Sequence, residues 1–67
     1  MINVSVNGEP RNVAIGASVA ALLALMQLTG KRVAVERNGE IVPKSLHGVT
    51  PLAAGDKLEI VVAVGGG

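Results

Sequence analysis

The segment from Lys57 to Val64 constrains the fold more than any other part of this chain, because it reads as a strand with apolar side chains on both faces. Side chains alternate between the two faces of a strand. One face carries Leu58, Ile60, Val62 and Val64, and the other carries Val61 and Ala63. A strand of this kind is typical of the middle of a sheet, since an edge or half-exposed strand normally has a polar face. We therefore expect the other elements to be arranged around it.

A β-hairpin is predicted for residues 1–16. Apolar and polar residues alternate from Ile2 to Asn7, and again from Arg11 to Ile15. The Asn7-Gly8 dipeptide between the two stretches tolerates positive φ angles and favours a hairpin turn. We expect Glu9 and Pro10 to lengthen this loop, because proline cannot donate a hydrogen bond to a sheet.

One helix is predicted, over residues 18–28. Ser18 is a suitable N-cap, since its hydroxyl can accept a hydrogen bond from the first turn. Gly30 is the expected stop, as glycine readily adopts the left-handed conformation after a helix. The apolar residues that follow the cap recur at helical spacing, at Val19, Leu22, Leu23 and Met26.

The remaining pattern gives an α+β fold in one domain. Arg32 to Arg37 reads as a strand, Asn38-Gly39 as a turn and Glu40 to Val42 as a short return strand. Residues 44–56 are expected to be irregular, with one helical turn around Leu46. The prediction is a mixed sheet of four to five strands with one helix packed across one face, in which the first and last strands are parallel neighbours.

Composition excludes several classes of function. The chain has no cysteine, so it has no disulfide, no thiolate zinc site and no thiol nucleophile. It has no aromatic residue on which a nucleic-acid base could stack, and its net charge is only +1. No segment approaches the roughly 20 apolar residues that span a bilayer. We therefore expect a cytoplasmic protein without nucleic-acid or membrane partners.

The sequence also has few residues that could act in catalysis or bind a metal ion. Five carboxylates are scattered over predicted turns and strand faces, and no pair of them suggests a general acid and base. The single histidine, His47, lies beside a glycine and is expected to be a solvated loop residue. The sequence thus predicts no catalytic residue, no metal site and no bound cofactor.

The chain ends in Gly65-Gly66-Gly67, directly after the most apolar strand. We divide it into a domain over 1–64 and a flexible glycine tail over 65–67. Glycine has no side chain, so such a tail can enter a narrow tunnel. Its chemical group is the carboxylate of Gly67, which is ionised at neutral pH because its pKa is about 3.3 to 3.7. If an ATP-dependent partner converts this carboxylate to an acyl-adenylate, a nucleophile can displace AMP.

Three segments together resemble the ThiS family of sulfur carrier proteins in thiamine thiazole biosynthesis, which have the ubiquitin-like β-grasp fold. They are Val33 to Ser45 (VAVERNGEIVPKS), Gly55-Asp56, and Ile60 to Gly67 (IVVAVGGG). The resemblance covers essentially the whole chain. It departs at Leu46, His47 and Ala63, where relatives often carry an aromatic residue.

This resemblance implies a function for the tail. An adenylating enzyme of the ubiquitin-activating type would use ATP to form an acyl-adenylate at Gly67, and a cysteine desulfurase system would supply sulfur to make a thiocarboxylate. Thiazole synthase would then consume that sulfur. Gly66 and Gly67 match the terminal diglycine of the family, and Gly65 matches an extra glycine of many relatives. The chain would be a carrier acted on by enzymes and not itself an enzyme.

A partner interface is predicted at Leu25 and Val64. The predicted helix is almost entirely apolar, whereas a surface helix normally has a polar face. Leu25 lies away from the centre of the apolar stripe, and it either contacts a partner or a second copy, or packs with Leu28 into a small core.

Three other functions remain open from the sequence. The chain could be the small subunit of molybdopterin synthase, although those relatives often carry prolines where this chain has Val61 to Val64. It could be a modifier conjugated to lysines, as ubiquitin is, or a β-grasp binding module with an inert tail. Trimming Gly66 and Gly67 separates the last of these from the rest.

Overall fold

The computed structural model describes residues 1–63, and the helix and strands follow one another along the chain in the order that the sequence pattern predicts. The strands are β1 (Ile2–Val6), β2 (Glu9–Val13), β3 (Val33–Arg37), β4 (Glu40–Ile41) and β5 (Lys57–Val62). The helix α1 spans Val19–Leu25, and one turn of 3-10 helix spans Lys44–Leu46. The predicted domain end at Val64 and the predicted tail over 65–67 lie outside the described residues.

The five strands form one mixed sheet in the order β2-β1-β5-β3-β4. β1 and β5 are parallel, and every other neighbouring pair is antiparallel. β5 is therefore the central strand and β1 its parallel neighbour, which confirms both predictions. α1 packs its buried residues Val19, Leu22 and Leu23 on one face of this sheet.

The first hairpin is tighter than predicted. Asn7 and Gly8 alone form the turn, with φ angles of 51° and 86°, and this pair of positive angles matches the right-handed twist of the strands. Glu9 and Pro10 belong to β2 and pair with Val6 and Ser5, so the prediction that they lengthen the loop was wrong. Proline is accommodated because β2 is an edge strand, where its nitrogen can face solvent.

Ser18 is the helix N-cap, as predicted, and its Oγ accepts a hydrogen bond from the Ala21 N–H at 3.1 Å. The helix ends earlier than predicted. Gln27 adopts φ 60°, and the Leu28 N–H donates to the Leu23 carbonyl at 2.8 Å. These features define a Schellman motif, in which the left-handed residue is Gln27 and not Gly30. Gly30, at φ 83°, forms the following turn instead.

The loop after β4 is fastened to the start of α1. The Val19 N–H donates to the Thr50 carbonyl at 3.0 Å, and the Ala20 N–H donates to the His47 carbonyl at 2.8 Å. These bonds satisfy first-turn amides that have no partner within the helix. The helical turn predicted around Leu46 is present, at Lys44–Leu46.

His47 is a buried residue, and the prediction of a solvated loop histidine was wrong. Its side chain is 8% exposed, and Nε2 lies 3.0 Å from the carbonyl oxygen of Val42. Because a carbonyl only accepts, Nε2–H is the donor. The backbone of His47 is held at the start of α1, because its carbonyl accepts a hydrogen bond from the Ala20 N–H.

The hydrophobic core lies between the sheet and α1. Side chains from four strands, the helix and the long loop between β4 and β5 contribute to it. Its buried members are Val4, Val6, Val13, Val19, Leu22, Leu23, Val35, Val42, Leu52, Leu58 and Ile60. The opposite face of the sheet is uncovered, and there Val61 is 65% exposed. β5 is thus central although only one of its apolar faces is buried.

Candidate functional site

The reactive group is predicted at Gly67, and the structure describes the strand that precedes the glycine segment. Gly65, Gly66 and Gly67, with the predicted interface residue Val64, lie outside the described residues. Their roles remain predictions. The candidate site in the described part of the chain is therefore the base of this C-terminal segment, formed by β5 and the residues that hold it.

On one side, β5 is paired with β3 over its whole length. The register joins Val62 to Val33, and beyond it the Ala63 N–H donates to the Arg32 carbonyl at 2.9 Å. This is the last backbone bond of β5 within the described residues. The chain is therefore still hydrogen-bonded across the sheet at Ala63, the last residue that the structure describes.

On the other side, pairing with β1 ends early, and the side chain of Asn7 continues it. β1 and β5 are in register only at Ser5 with Lys57 and at Val6 with Leu58. The Ile60 N–H then donates to Asn7 Oδ1 at 2.8 Å, and Asn7 Nδ2 donates to the Ile60 carbonyl at 3.1 Å. Because the chain turns away at Asn7, this carboxamide takes the place of the missing backbone groups.

The start of β5 is fixed by a buried carboxylate, Asp56. Its Oδ2 accepts hydrogen bonds from Arg37 Nε at 2.7 Å and from the Ala53 N–H at 2.8 Å. Its Oδ1 accepts a hydrogen bond from Asn38 Nδ2 at 3.0 Å. The Asn38 side chain in turn accepts a hydrogen bond from the Lys57 N–H at 2.9 Å. The turn between β3 and β4 is thereby joined to the first residue of β5.

The charge of Asp56 is stabilised by this environment. Burial opposes ionisation of the carboxyl group, but the hydrogen bonds from Ala53, Arg37 and Asn38, with the positive charge of Arg37, outweigh it. The pKa of Asp56 therefore lies below its usual value. Asp56 is an ionised structural anchor, and its oxygens are already occupied by donors.

The uncovered face of the sheet carries an apolar patch beside a polar depression. Val61 pairs with the exposed Ala34, and Ile41, on the neighbouring edge strand, is 72% exposed. Glu36 and Glu59 lie directly opposite each other in the register. They line a depression of about 380 Å³ with Asn38, Gly39 and Lys57.

Leu25 lies on the outer surface of α1, near its end, and is 62% exposed. Its neighbours on the helix, Ala21 and Ala24, are also exposed, so this surface has no polar side chain. Leu28, by contrast, packs against the core. Of the two packing alternatives for Leu25, burial with Leu28 was wrong. Its role as a contact for a partner remains a prediction.

The described residues offer support for a reactive terminus and little chemistry of their own. Among residues 1–63 there is no group of three or more potential metal ligands, and no helix of this region is long and apolar enough to cross a membrane. The sequence pattern indicated Asn7-Gly8 as a turn and Gly55-Asp56 as a segment of the family resemblance. The second role of each polar side chain, in holding β5, had no separate signal in the sequence.

Comparison with known proteins assigns the family. The model of the ThiS family matches residues 4–67. The chain belongs to the ThiS family. The crystal structure of the thiamine biosynthesis protein ThiS from Geobacter metallireducens superposes with a TM-score of 0.81 at 33% identity, covering 98% of this chain and all of that one. The predicted resemblance and the predicted β-grasp fold are thus both confirmed.

Two sequence relatives differ in how much of their own length this chain covers. A thiazole synthase of Paramagnetospirillum magneticum is 50% identical over 62 residues, which are 92% of this ThiS-family chain but only 19% of that enzyme. An uncharacterized protein, ycf40, of Pyropia yezoensis is 41% identical over 66 residues, which are 98% of this chain and 93% of that protein. The chain thus spans about a fifth of the length of the first of these relatives.

Proposed function

We propose that this chain is a sulfur carrier of thiamine biosynthesis whose cargo is bound at the carboxylate of Gly67. The observation that carries the proposal is the family match, which runs through the three terminal glycines. The fold supports it, because the strand leading to these residues is the central one and is hydrogen-bonded through Ala63. The domain would present the terminus, and enzymes would act on it.

The chemistry proceeds in three steps in this proposal. An adenylating enzyme of the ubiquitin-activating type joins the Gly67 carboxylate to AMP and releases pyrophosphate from ATP. A persulfide supplied by a cysteine desulfurase system then displaces AMP through its terminal sulfur and forms an acyl disulfide. A second thiol of the sulfur-delivering proteins reduces this acyl disulfide, which releases the thiocarboxylate at Gly67 and leaves a disulfide between the two thiols. The chain itself contributes no cysteine, so it cannot trap its activated terminus on a thiol of its own.

Thiazole synthase is the proposed consumer of the sulfur. The support is that a segment similar to nearly this whole chain occurs within thiazole synthases of Paramagnetospirillum magneticum and Magnetococcus marinus. Carrier and synthase sequences are thus covalently joined in those proteins. For this chain the same two functions would meet through binding.

An intact-mass measurement tests the carrier chemistry. The chain isolated from its host is first weighed, to establish that Gly67 carries the terminal carboxylate. It is then incubated with ATP, a sulfur source and the host adenylating enzyme. We expect a mass gain equal to the replacement of one oxygen by one sulfur, located in the C-terminal peptide, and its loss on addition of thiazole synthase together with the substrates that accept the sulfur.

The control is the same incubation without ATP, with the enzyme shown to be active on another carrier. An unchanged mass with active enzyme would contradict the proposal and favour a binding module with an inert tail. Sulfur consumed only by molybdopterin synthase would assign the chain to that enzyme, and adducts on target lysines would identify a modifier.

A further inference from the structure

We propose that thiazole synthase binds this chain by adding an extended segment to the open edge of β5 at Val62. This inference rests on the proposed function. It concerns backbone groups of the central strand that the fold leaves unpaired within the described residues, and it gives the carrier a hydrogen-bonded docking edge next to its reactive terminus.

The pairing of β5 determines which backbone groups reach that edge. In the antiparallel register with β3, hydrogen-bonded and non-hydrogen-bonded pairs alternate. The bond from the Ala63 N–H to the Arg32 carbonyl and the bond from the Asn38 N–H to the Lys57 carbonyl mark the hydrogen-bonded pairs. Leu58, Ile60 and Val62 are therefore non-bonded toward β3, and their N–H and C=O groups point toward β1.

Each of these residues except Val62 has a partner on the β1 side. The Leu58 carbonyl accepts from the Asn7 N–H at 2.9 Å, and Ile60 is held by the Asn7 side chain. Within residues 1–63, no β1 residue is in register with Val62, because the chain reverses at Asn7-Gly8. The N–H and C=O groups of Val62 therefore point toward the side of β5 where β1 has already ended.

Backbone chemistry defines the kind of occupant. One N–H and one C=O that point outward from a strand are matched by the backbone of another extended chain, as in recognition by strand addition. Apolar side chains flank the edge, since Val61 is 65% exposed and Val62 is 37% exposed. An extended segment with apolar side chains fits both features.

The length of the C-terminal segment limits the distance between Val62 and the active-site entrance of an enzyme that receives Gly67. Five residues lead from Val62 to Gly67, and an extended chain of that length spans at most about 18 Å. An enzyme that receives the Gly67 thiocarboxylate in its active site therefore presents its entrance close to Val62. Among such enzymes we choose thiazole synthase, because two thiazole synthases contain, within their own chains, a segment similar to this protein.

Amide hydrogen exchange and a single backbone methyl group test the inference. The full chain is made by chemical synthesis with N-methylvaline at position 62, which removes the N–H and blocks strand addition. The matched control carries N-methylisoleucine at position 41. The Ile41 N–H also points away from its neighbour, since β4 bonds to β3 through Val42 and pairs Glu40 with Arg37.

We expect the Val62 amide of the unmodified chain to exchange at least tenfold more slowly when thiazole synthase is bound. We expect methylation at position 62 to weaken binding by about tenfold, the effect of losing one hydrogen bond, and methylation at position 41 to leave the affinity unchanged. Both modified chains should melt at the temperature of the unmodified chain.

Several results would overturn the inference. Unchanged affinity of the chain methylated at position 62 would refute edge docking while leaving the carrier proposal intact. A lowered melting temperature of that chain would show that the fold itself uses the Val62 N–H. Concentration-dependent protection of Val62 without any partner would assign the edge to a second copy. Failure of the unmodified chain to bind thiazole synthase would refute both the proposed partner and this inference.

Discussion

The carboxamide of Asn7 and the backbone of Ile60 form a pair of hydrogen bonds across the sheet, at 2.8 Å and 3.1 Å. Asn7 also forms the hairpin turn with φ 51°. One residue therefore reverses β1 and keeps the central strand paired after β1 has turned away. Loss of either function would loosen the strand that leads to the C-terminal segment.

Asn7→Asp tests this double role. The variant keeps an acceptor for the Ile60 N–H but replaces the donor Nδ2 with an oxygen that faces the Ile60 carbonyl. We expect the free energy of unfolding to fall by about 1 to 2 kcal/mol. Chemical denaturation measures it. Asn12→Asp is the control, because Asn12 uses only its Oδ1, as an acceptor from Asn3 Nδ2. Equal stability of the two variants would contradict the assigned contact.

Asp56→Asn tests the anchor at the start of β5. At pH 7 we expect the free energy of unfolding to fall by about 1 to 3 kcal/mol, because the acceptor of three hydrogen bonds loses its charge. The loss is modest because the Arg37 side chain is 32% exposed, and solvent weakens its ion pair with Asp56. The exposed Glu9, changed to Gln, is the control.

Acid should remove the contribution of Asp56 from the wild type. The folded pKa of Asp56 lies below its usual value, so the folded state favours the ionised form. This stability is fully present above the unfolded pKa of about 3.9 and is lost as the pH falls through the lower folded pKa. The difference between wild type and Asp56→Asn should therefore shrink below about pH 4. A constant difference down to pH 2 would contradict the assigned anchor.

Gln27→Gly should stabilise the protein. Gln27 occupies the left-handed conformation that ends α1, at φ 60°, where a side chain costs about 1 to 2 kcal/mol. Glycine avoids this cost but loses part of the gain as conformational entropy. We expect a net rise of about 0.5 to 1 kcal/mol in the free energy of unfolding, measured by denaturation. Gln27→Ala keeps the strained φ angle and should change little; a rise as large as that of glycine would refute the explanation.

Leu25→Glu tests the helix surface without disturbing the core. Leu25 is 62% exposed, so we expect stability to stay within about 0.5 kcal/mol of the wild type. Binding of the adenylating enzyme or of thiazole synthase, or self-association, should weaken when a charge enters this apolar surface. Calorimetric titration and sedimentation measure the two effects. If both are unchanged, the predicted interface at Leu25 is wrong.

Deletion of Gly67 separates the chemistry of the terminus from the fold. We expect it to abolish adenylation, since it displaces the reacting carboxylate by one residue, and to leave the melting temperature unchanged. Gly66→Val should block activation through the bulk of its side chain. Pyrophosphate release measures adenylation. A clear loss of stability in either variant would place these glycines within the fold.

The described glycine-containing turns and the helix cap were predictable because they depend on neighbours in the chain. Asn7-Gly8 and Asn38-Gly39 form the predicted turns, and Ser18 caps α1. The end of α1 was not predictable in the same way. The strained conformation of Gln27 is held by the burial of Leu28, which is a contact with the core and not a local preference.

The sequence by itself determined the order of the elements, the central place of β5 and the family, since these follow from periodicity, turn dipeptides and the segments shared with relatives. Only the tertiary structure decided which polar side chains are buried. His47 and Asp56 are buried, and these two residues and the exposed Asn7 form hydrogen bonds with groups up to 53 residues away along the chain. Hydrogen bonds between distant residues depend on how strands and loops are brought together in the fold. A local sequence pattern does not predict that arrangement.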